Sequence, residues 1–280
     1  MTLNANFKNK YGPWALIAGA SEGIGLSFAA ALAALGFNLV MVSRRADVLE
    51  ANANALKKRF PIDIKTLAAD LTSAHLLEHL SPLTQDIEIG LLIYNAGAMH
   101  GADLFHDNPV EKSLALIDLN CRGPVLLCHH YGDLMRQRKR GGIMMLSSMV
   151  AFSGGAYVAA YSATKAFDVV LAQSLWHELA IYNVDVMALV AGATNTPAMA
   201  NSGIDFSAWQ AGLMKSDDVA QEGLQHLGKG PLHIVGENNR AMRAALQALP
   251  ETQVIEAMSM GAAMLYGKPY SAVNVNNSSD

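Results

Sequence analysis

Glycines at 19, 23 and 25 fall between a short apolar run, Trp14 to Ala18, and an alanine-rich stretch, and this G-x-x-x-G-x-G turn constrains the fold more than any other segment. Such a turn lets the backbone bend tightly and approach a pyrophosphate, while the following helix offers free N–H groups and the positive end of its dipole. Gly19, Gly23 and Gly25 therefore predict a dinucleotide site. The rest of the chain repeats the strand and helix alternation. Short β-rich apolar runs near 14–18, 38–42, 63–68, 90–94, 142–146, 185–190 and 232–235 alternate with helical patterns near 23–35, 46–59, 74–80, 109–138, 158–182 and 216–227. This predicts an α/β fold, a doubly wound (Rossmann-like) parallel seven-stranded sheet with helices on both faces.

The end of the second strand selects the dinucleotide. An acidic residue there would bind the ribose hydroxyls of NAD, but the chain reads Ser43-Arg44-Arg45, and an arginine pairs bidentately with a 2′-phosphate. NADP(H) is expected over NAD(H), with Ser43 and Arg44 at the phosphate. Asp70, after the third strand, has two readings: acceptor from the adenine amino group, or a helix N-terminal residue before Leu71-Thr72-Ser73.

Tyr161 and Lys165 stand at i and i+4 of a predicted helix, which places a phenol and an ammonium on one face. A phenol of ordinary pKa, ~10, is a poor proton donor at neutral pH, and a fixed cation stabilises its anion. The pair is a candidate acid.

Composition excludes other classes. The net charge of −4 gives no electrostatic reason for nucleic acid, and the basic run 136–140 reads as a solvated helix end. Charged residues make up only 16%, against the ~25% usual for soluble domains, which points to surface covered by another subunit. Cys121 and Cys128, seven apart on a predicted helix, form neither a disulfide pattern nor a metal set, and with His100, His129 and His130 they show no ligand spacing, so no metal is expected. Two uncharged stretches, 23–43 and 141–164, exceed ~18 residues, but the first breaks at 36–38 and the second carries Ser147, Ser148, Gly154 and Gly155. No membrane span is expected, and the start has no apolar core like that of a secretory signal. A reducing cytoplasm fits.

With Ala18-Gly-Ala-Ser-Glu-Gly-Ile-Gly25, Asp70-Leu71, Asn95-Ala-Gly97, Asn120, Ser147-Ser148, Tyr161-x-x-x-Lys165 and Ala191-Gly-Ala-Thr-Asn-Thr196 in this order, residues 12–200 resemble the single-domain branch of the short-chain dehydrogenase/reductases. The resemblance implies that Tyr161 protonates a carbonyl oxygen as hydride arrives. Lys165 would assist it and hold the nicotinamide ribose, Ser148 would orient the substrate oxygen, and Asn120 would hold a water linking Lys165 to solvent. The family's interval of thirteen from serine to tyrosine selects Ser148 over Ser147. Ser21 and Ile24 would meet the phosphates, and Asn95, Ala96 and Gly97 would sit beside the adenosine ribose. Gly192 would belong to the cofactor loop and Thr196 would meet the carboxamide. Two departures, Ala18 for the family's threonine and Ala191 for its proline, bear on loop rigidity.

The domain is expected to span 1–270, with 198–270 supplying a lid and C-terminal helices and 271–280 a disordered tail. The segment 201–214 reads equally as a lid or as a packed helix. Helical patterns at 238–249 and 251–265 are expected to bury themselves before building a subunit contact or facing a lipid-like substrate. The segments expected to wall the site, 98–105, 149–157 and 197–214, are rich in methionine and aromatics and hold no arginine or lysine. The expected partner is a small hydrophobic carbonyl or alcohol, and the expected assembly a homodimer or homotetramer. The rival readings are a catalytically silent dinucleotide-binding regulatory or scaffold protein, and a lyase or isomerase of similar fold.

Overall fold

The computed structural model describes residues 5–99, 101–200 and 212–271. Most of the lid segment and nearly all of the tail lie outside the described residues. In chain order the strands are β1 (Trp14–Ala18), β2 (Asn38–Ser43), β3 (Ile64–Ala68), β4 (Ile89–Tyr94), β5 (Gly141–Ser148), β6 (Val184–Ala191), β7 (Thr194–Asn195), β8 (Met214–Lys215) and β9 (Leu232–Ile234). The helices are α1 (Ala5–Tyr11), α2 (Gly23–Ala34), α3 (Ala46–Arg59), α4 (Leu76–Thr84), α5 (Val110–Ile117), α6 (Gly123–Arg138), α7 (Ala159–Ala180), α8 (Pro197–Ala200), α9 (Ser216–His226), α10 (Glu237–Gln247) and α11 (Glu251–Leu265).

Seven parallel strands form the sheet in the order β3-β2-β1-β4-β5-β6-β9, and β7 pairs with β8 apart from it. Every residue of β1 and β4 is buried, as both faces must be when crossover helices cover them. One face packs Phe28 and Leu32 of α2 with Val219 and Leu224 of α9, and the other packs Leu127 and Tyr131 of α6 with Ala172 of α7. Chain order reverses between β1 and β4, and a crevice opens there at the strands' carboxyl ends.

Three local differences from the sequence expectation have physical causes. The helix expected over 109–138 is interrupted by a π-turn at Asp118–Arg122. There the Tyr94 hydroxyl donates to the Leu119 carbonyl at 2.6 Å, and the Gly123 N–H bonds Asp118 one residue further back. Gly123 is required because a Cβ would lie 2.1 Å from the Tyr94 oxygen. The helix expected at 74–80 begins later, at Leu76, since Asp70 and Thr72 form a turn first. Finally, α1 forms where no amphipathic pattern announces it, held by Phe7 against Phe37 (centroids 5.9 Å) and by the Tyr11 hydroxyl donating to Asp185 at 2.5 Å.

Phe28 has no exposed surface and fills the seam between α2, Leu189 of β6 and Gly223 of α9. Phe28→Ala is expected to cost about 3–5 kcal/mol of stability, measured as a lower denaturant midpoint with an unchanged slope.

Candidate active site

The carboxyl ends of β1, β2, β4, β5 and β6 open onto one cleft of about 1000 Å³. Every residue marked from the sequence for cofactor or chemistry lines it except Gly25 and Asn120.

The glycine turn is built by close approach. Gly19 has φ +87°, and a Cβ there would lie 2.8 Å from the Ala96 backbone; a Cβ on Gly25 would lie 1.9 Å from the Gly19 carbonyl oxygen. Asn95 Nδ2 donates to that oxygen at 2.8 Å, while the N–H groups of Asn95 and Ala96 donate to Ala18 O at 3.0 and 2.8 Å. Asn95 and Ala96 thus brace the turn from behind and tie it where Ala18 lacks a hydroxyl. Glu22, before α2, makes no side-chain cap, so the first N–H groups of the helix remain available to an anion. A pyrophosphate fits this cradle.

At the other end of the turn the two arginines separate. Arg45 pairs with Glu22 at 2.5 Å and lies 3.4 Å from Ser21 Oγ. Arg44 is exposed on the cleft beside Ser43 and makes no hydrogen bond or ion pair among the described residues. Asp70 accepts from the Thr72 N–H at 2.9 Å and the Thr72 hydroxyl at 2.8 Å. The backbone bond, with smaller help from the hydroxyl and Arg44 and against partial burial, holds its carboxyl below the usual range. Asp70 is not a helix N-terminal residue, because α4 starts only at Leu76 and Asp70 closes a turn with Thr72 instead, while its side chain still borders the cleft. Leu71 is buried behind it.

The opposite wall carries Tyr161 and Lys165, one turn apart on α7. Lys165 is 4% exposed, and its Nζ donates to Leu146 O at 2.8 Å and to Asp168 Oδ2 at 3.1 Å. Burial works to lower its pKa, but the charges of Asp168 and Tyr161 outweigh burial and the net direction is upward. Alternation along β5 sends its two serines to different tasks. Both border the cleft, but Ser147 is buried and its hydroxyl is spent on Lys165 O at 2.8 Å. Neither the Ser148 nor the Tyr161 hydroxyl has a hydrogen-bond partner among the described residues, so both can meet a ligand oxygen. Asn120, fully buried in the π-turn, spends its side chain on Ala98 N (3.2 Å), Ala98 O (3.3 Å) and Thr164 Oγ1 (3.0 Å). It ties the 95–98 segment to α7 and is not turned into the cleft. At the far edge, Gly192 makes room for the Asn239 side chain, 2.6 Å from where a Cβ would be, and Thr196 Oγ1 accepts from Met199 N at 3.2 Å while lining the cleft.

Three residues not singled out from the sequence contact the side chains and segments of this wall. Asp168, three positions after Lys165, is legible in hindsight as a charge on a buried face. Tyr266 and Arg243 give no local signal. The Tyr266 hydroxyl donates to Met99 Sδ at 3.2 Å, and burial, then Tyr161, pushes its pKa up to about 12. Arg243 of α10 lies over the Phe152 ring at 4.2 Å, so a cation is held against one of the segments that carries none of its own. Burial, the expectation for the C-terminal helices, holds only in part. Described residues of α10 include no fully buried one, and α11 instead packs on the wall, with Ser259 Oγ accepting from Ala156 N at 2.9 Å and Met258 against Gly155.

Away from the cleft, Glu222, His226 and His233 place ligand atoms within 4.8 Å of one another. Glu222 Oε1 is already bonded to His233 Nε2 (2.8 Å) and Arg240 Nη1 (2.6 Å), and the two imidazoles stack at 3.6 Å and 10°. Parallel rings and an arginine on the carboxylate suit a hydrogen-bonded clasp between α9 and β9, not a cation. Among the described residues no helix is long and apolar enough to cross a membrane.

The short chain dehydrogenase family model matches residues 13–205. A 7beta-hydroxysteroid dehydrogenase from Clostridium sardiniense is 31% identical over 250 residues, covering 89% of this chain and 95% of that protein. A solved structure from work on 7beta-hydroxysteroid dehydrogenase stereoselectivity superposes with TM-score 0.84 at 28% identity, covering 90% of this chain and 98% of the other. A short-chain dehydrogenase from Sphingobium yanoikuyae, solved in complex with NADPH, superposes with TM-score 0.74 at 31% identity, covering 84% and 94%. The chain belongs to the short-chain dehydrogenase/reductase family. It is an oxidoreductase of that family, whose members bind a nicotinamide cofactor.

Proposed function

We propose that this chain is an NADP(H)-dependent carbonyl reductase, or alcohol dehydrogenase in reverse, acting on an uncharged, hydrophobic ketone or secondary alcohol. The observation that carries the reading is the cleft itself. The glycine cradle and the free Arg44 stand at one end, and the unengaged Ser148 and Tyr161 hydroxyls stand beside a buried ammonium at the other.

The cofactor would be held by the α2 N-terminus and Gly19–Gly25 turn at its phosphates, by Ser43 and Arg44 at the 2′-phosphate, and by Lys165 and Thr196 toward the nicotinamide. When bound, the nicotinamide supplies the hydride. The chain's own side chains do the remaining work. Ser148 donates a hydrogen bond to the substrate oxygen and orients it, Tyr161 gives that oxygen a proton, and the fixed charge of Lys165 stabilises the phenolate left behind.

Substrate class follows from the walls. The segments expected to flank the cleft are rich in methionine and aromatic side chains, Arg243 is drawn over the ring of one of them, Phe152, rather than left free, and a similar protein carries the name of a hydroxysteroid dehydrogenase. Methionines adapt to the outline of a bulky apolar body. The exposed Leu114 and Ile117 of α5 with Phe167, Val170 and Trp176 of α7 support assembly of two or four copies through these helices.

NADPH consumption with a bulky apolar ketone should exceed that with a short keto acid in kcat/KM, and Tyr161→Phe should lower turnover ~100-fold or more while NADPH binding stays nearly intact. No consumption with any ketone would favour the silent scaffold, and a preference for the keto acid would overturn the substrate class. Arg44→Ala should cost about 1.5–3 kcal/mol of NADPH affinity and leave NADH little changed, as read by fluorescence titration. Light scattering at micromolar concentration should give a dimeric or tetrameric mass.

A further inference from the structure

Asp168 is the one buried acid beside the cleft's chemistry among the described residues. It is 2% exposed, and only one of its oxygens is used: Oδ2 accepts from Lys165 Nζ, while Oδ1 has no partner among the described residues. A carboxylate in such surroundings is costly, because the interior cannot replace the water it loses. Lys165 already has a strong neutral acceptor in Leu146 O, so its position does not demand an anion. The Asp168 charge therefore calls for a role beyond holding the lysine in place.

We propose that Asp168 is a positioning residue whose negative charge keeps the Lys165 ammonium, one turn from Tyr161, protonated. The inference rests on Tyr161 acting as the proton donor.

The electrostatics have one sign. Lys165 sits in an interior where burial alone favours losing its proton, and Asp168 is the largest influence in the other direction. Burial also raises Asp168 itself, against the pull of Lys165. With the ammonium charged, an ionised Asp168 leaves the interior neutral, whereas a protonated one leaves a lone buried cation. The ion pair is the favoured form. The other titratable groups around Asp168 cannot substitute for it. Burial raises Tyr94 on β4, with a smaller push from Asp168; burial likewise raises Cys121 of the π-turn to about 11 and Cys128 of α6 to about 12. Tyr266, just past α11, is pushed up to about 12 by burial and then by Tyr161. All four are neutral where the pair works.

Two coupled groups lose their protons in steps that belong to the pair. Whichever proton leaves first, a neighbouring negative charge holds it more tightly. Neutralising Asp168 must move that first step to lower pH. In carbonyl reduction the protonated pair is the active form, so the alkaline fall of kcat/KM marks the step.

The experiment compares the pH profile of NADPH-dependent ketone reduction in wild type, Asp168→Asn, Asp168→Ser and Asp168→Glu. Both neutral variants should move the alkaline limb to lower pH by about one unit or more, and the glutamate should keep it near the wild-type position. A second reading needs no turnover: in the cofactor-free protein labelled with 13C at lysine Cε, the Lys165 resonance, assigned with Lys165→Arg, should titrate at lower pH in the neutral variants. If Asp168→Asn does not fold, Asp168→Ser carries both measurements. A limb and a Lys165 titration that stay at the wild-type pH, or that move upward, overturn the proposal. Retained activity in Tyr161→Phe would instead overturn the assignment of the donor, independently of where Lys165 titrates.

Discussion

A buried ammonium is the constraint around which the cleft is arranged. Lys165 Nζ reaches from α7 to the Leu146 carbonyl on β5, and Ser147 of the same strand returns a hydrogen bond to the Lys165 carbonyl. These two bonds lock helix to strand where β5 delivers Ser148 to the cleft. Gly97 completes the enclosure, since a Cβ there would come within 3.1 Å of the ammonium. Without a cation at this place, α7 would carry an ordinary tyrosine on an ordinary helix.

Each side of the cleft is stiffened by hydrogen bonds from residues that do not face a ligand. Asn95 and Ala96 fasten the glycine turn to β1. Asn120 fastens the next stretch of that segment to Thr164, and Tyr94 opens the π-turn that lets Asn120 point inward. The two ends of the cleft are thus linked through one short segment after β4, at the point where the strand order reverses. Displacing that segment would disturb the phosphate cradle and the Tyr161 wall together.

The parts legible in the sequence are those whose cause is local. A glycine turn between strand and helix, a run of arginines after β2, and an i, i+4 tyrosine and lysine can each be read in a window of about ten residues, because turn geometry and helix spacing act over that range. The parts that escaped depend on distant partners. The break in the helix over 109–138 is caused by Tyr94, far upstream, and Asn120 in sequence gives no sign that Ala98 and Thr164 will take its side chain. Asp70 closes a turn with Thr72 where a helix start is expected from the sequence, because α4 begins only at Leu76. Arg243 and Tyr266 meet Phe152 and Met99 only because α10 and the end of α11 fold back over segments far earlier in the chain. Asp168 was close at hand, but helix spacing gives no measure of burial, and burial is what makes its charge consequential.

The central claim, hydride transfer to a carbonyl held by Ser148 and Tyr161, is tested most directly by following the hydride itself. The enzyme is supplied with NADPH deuterated at C4 in each of its two stereochemical forms and with a bulky apolar ketone, and the alcohol is analysed by mass spectrometry and NMR. The account predicts one deuterium at the carbinol carbon from only one of the two forms, with the hydroxyl proton coming from solvent-exchangeable groups. Alcohol formed without deuterium from either form, or NADPH bound with no alcohol formed from any ketone, would contradict it.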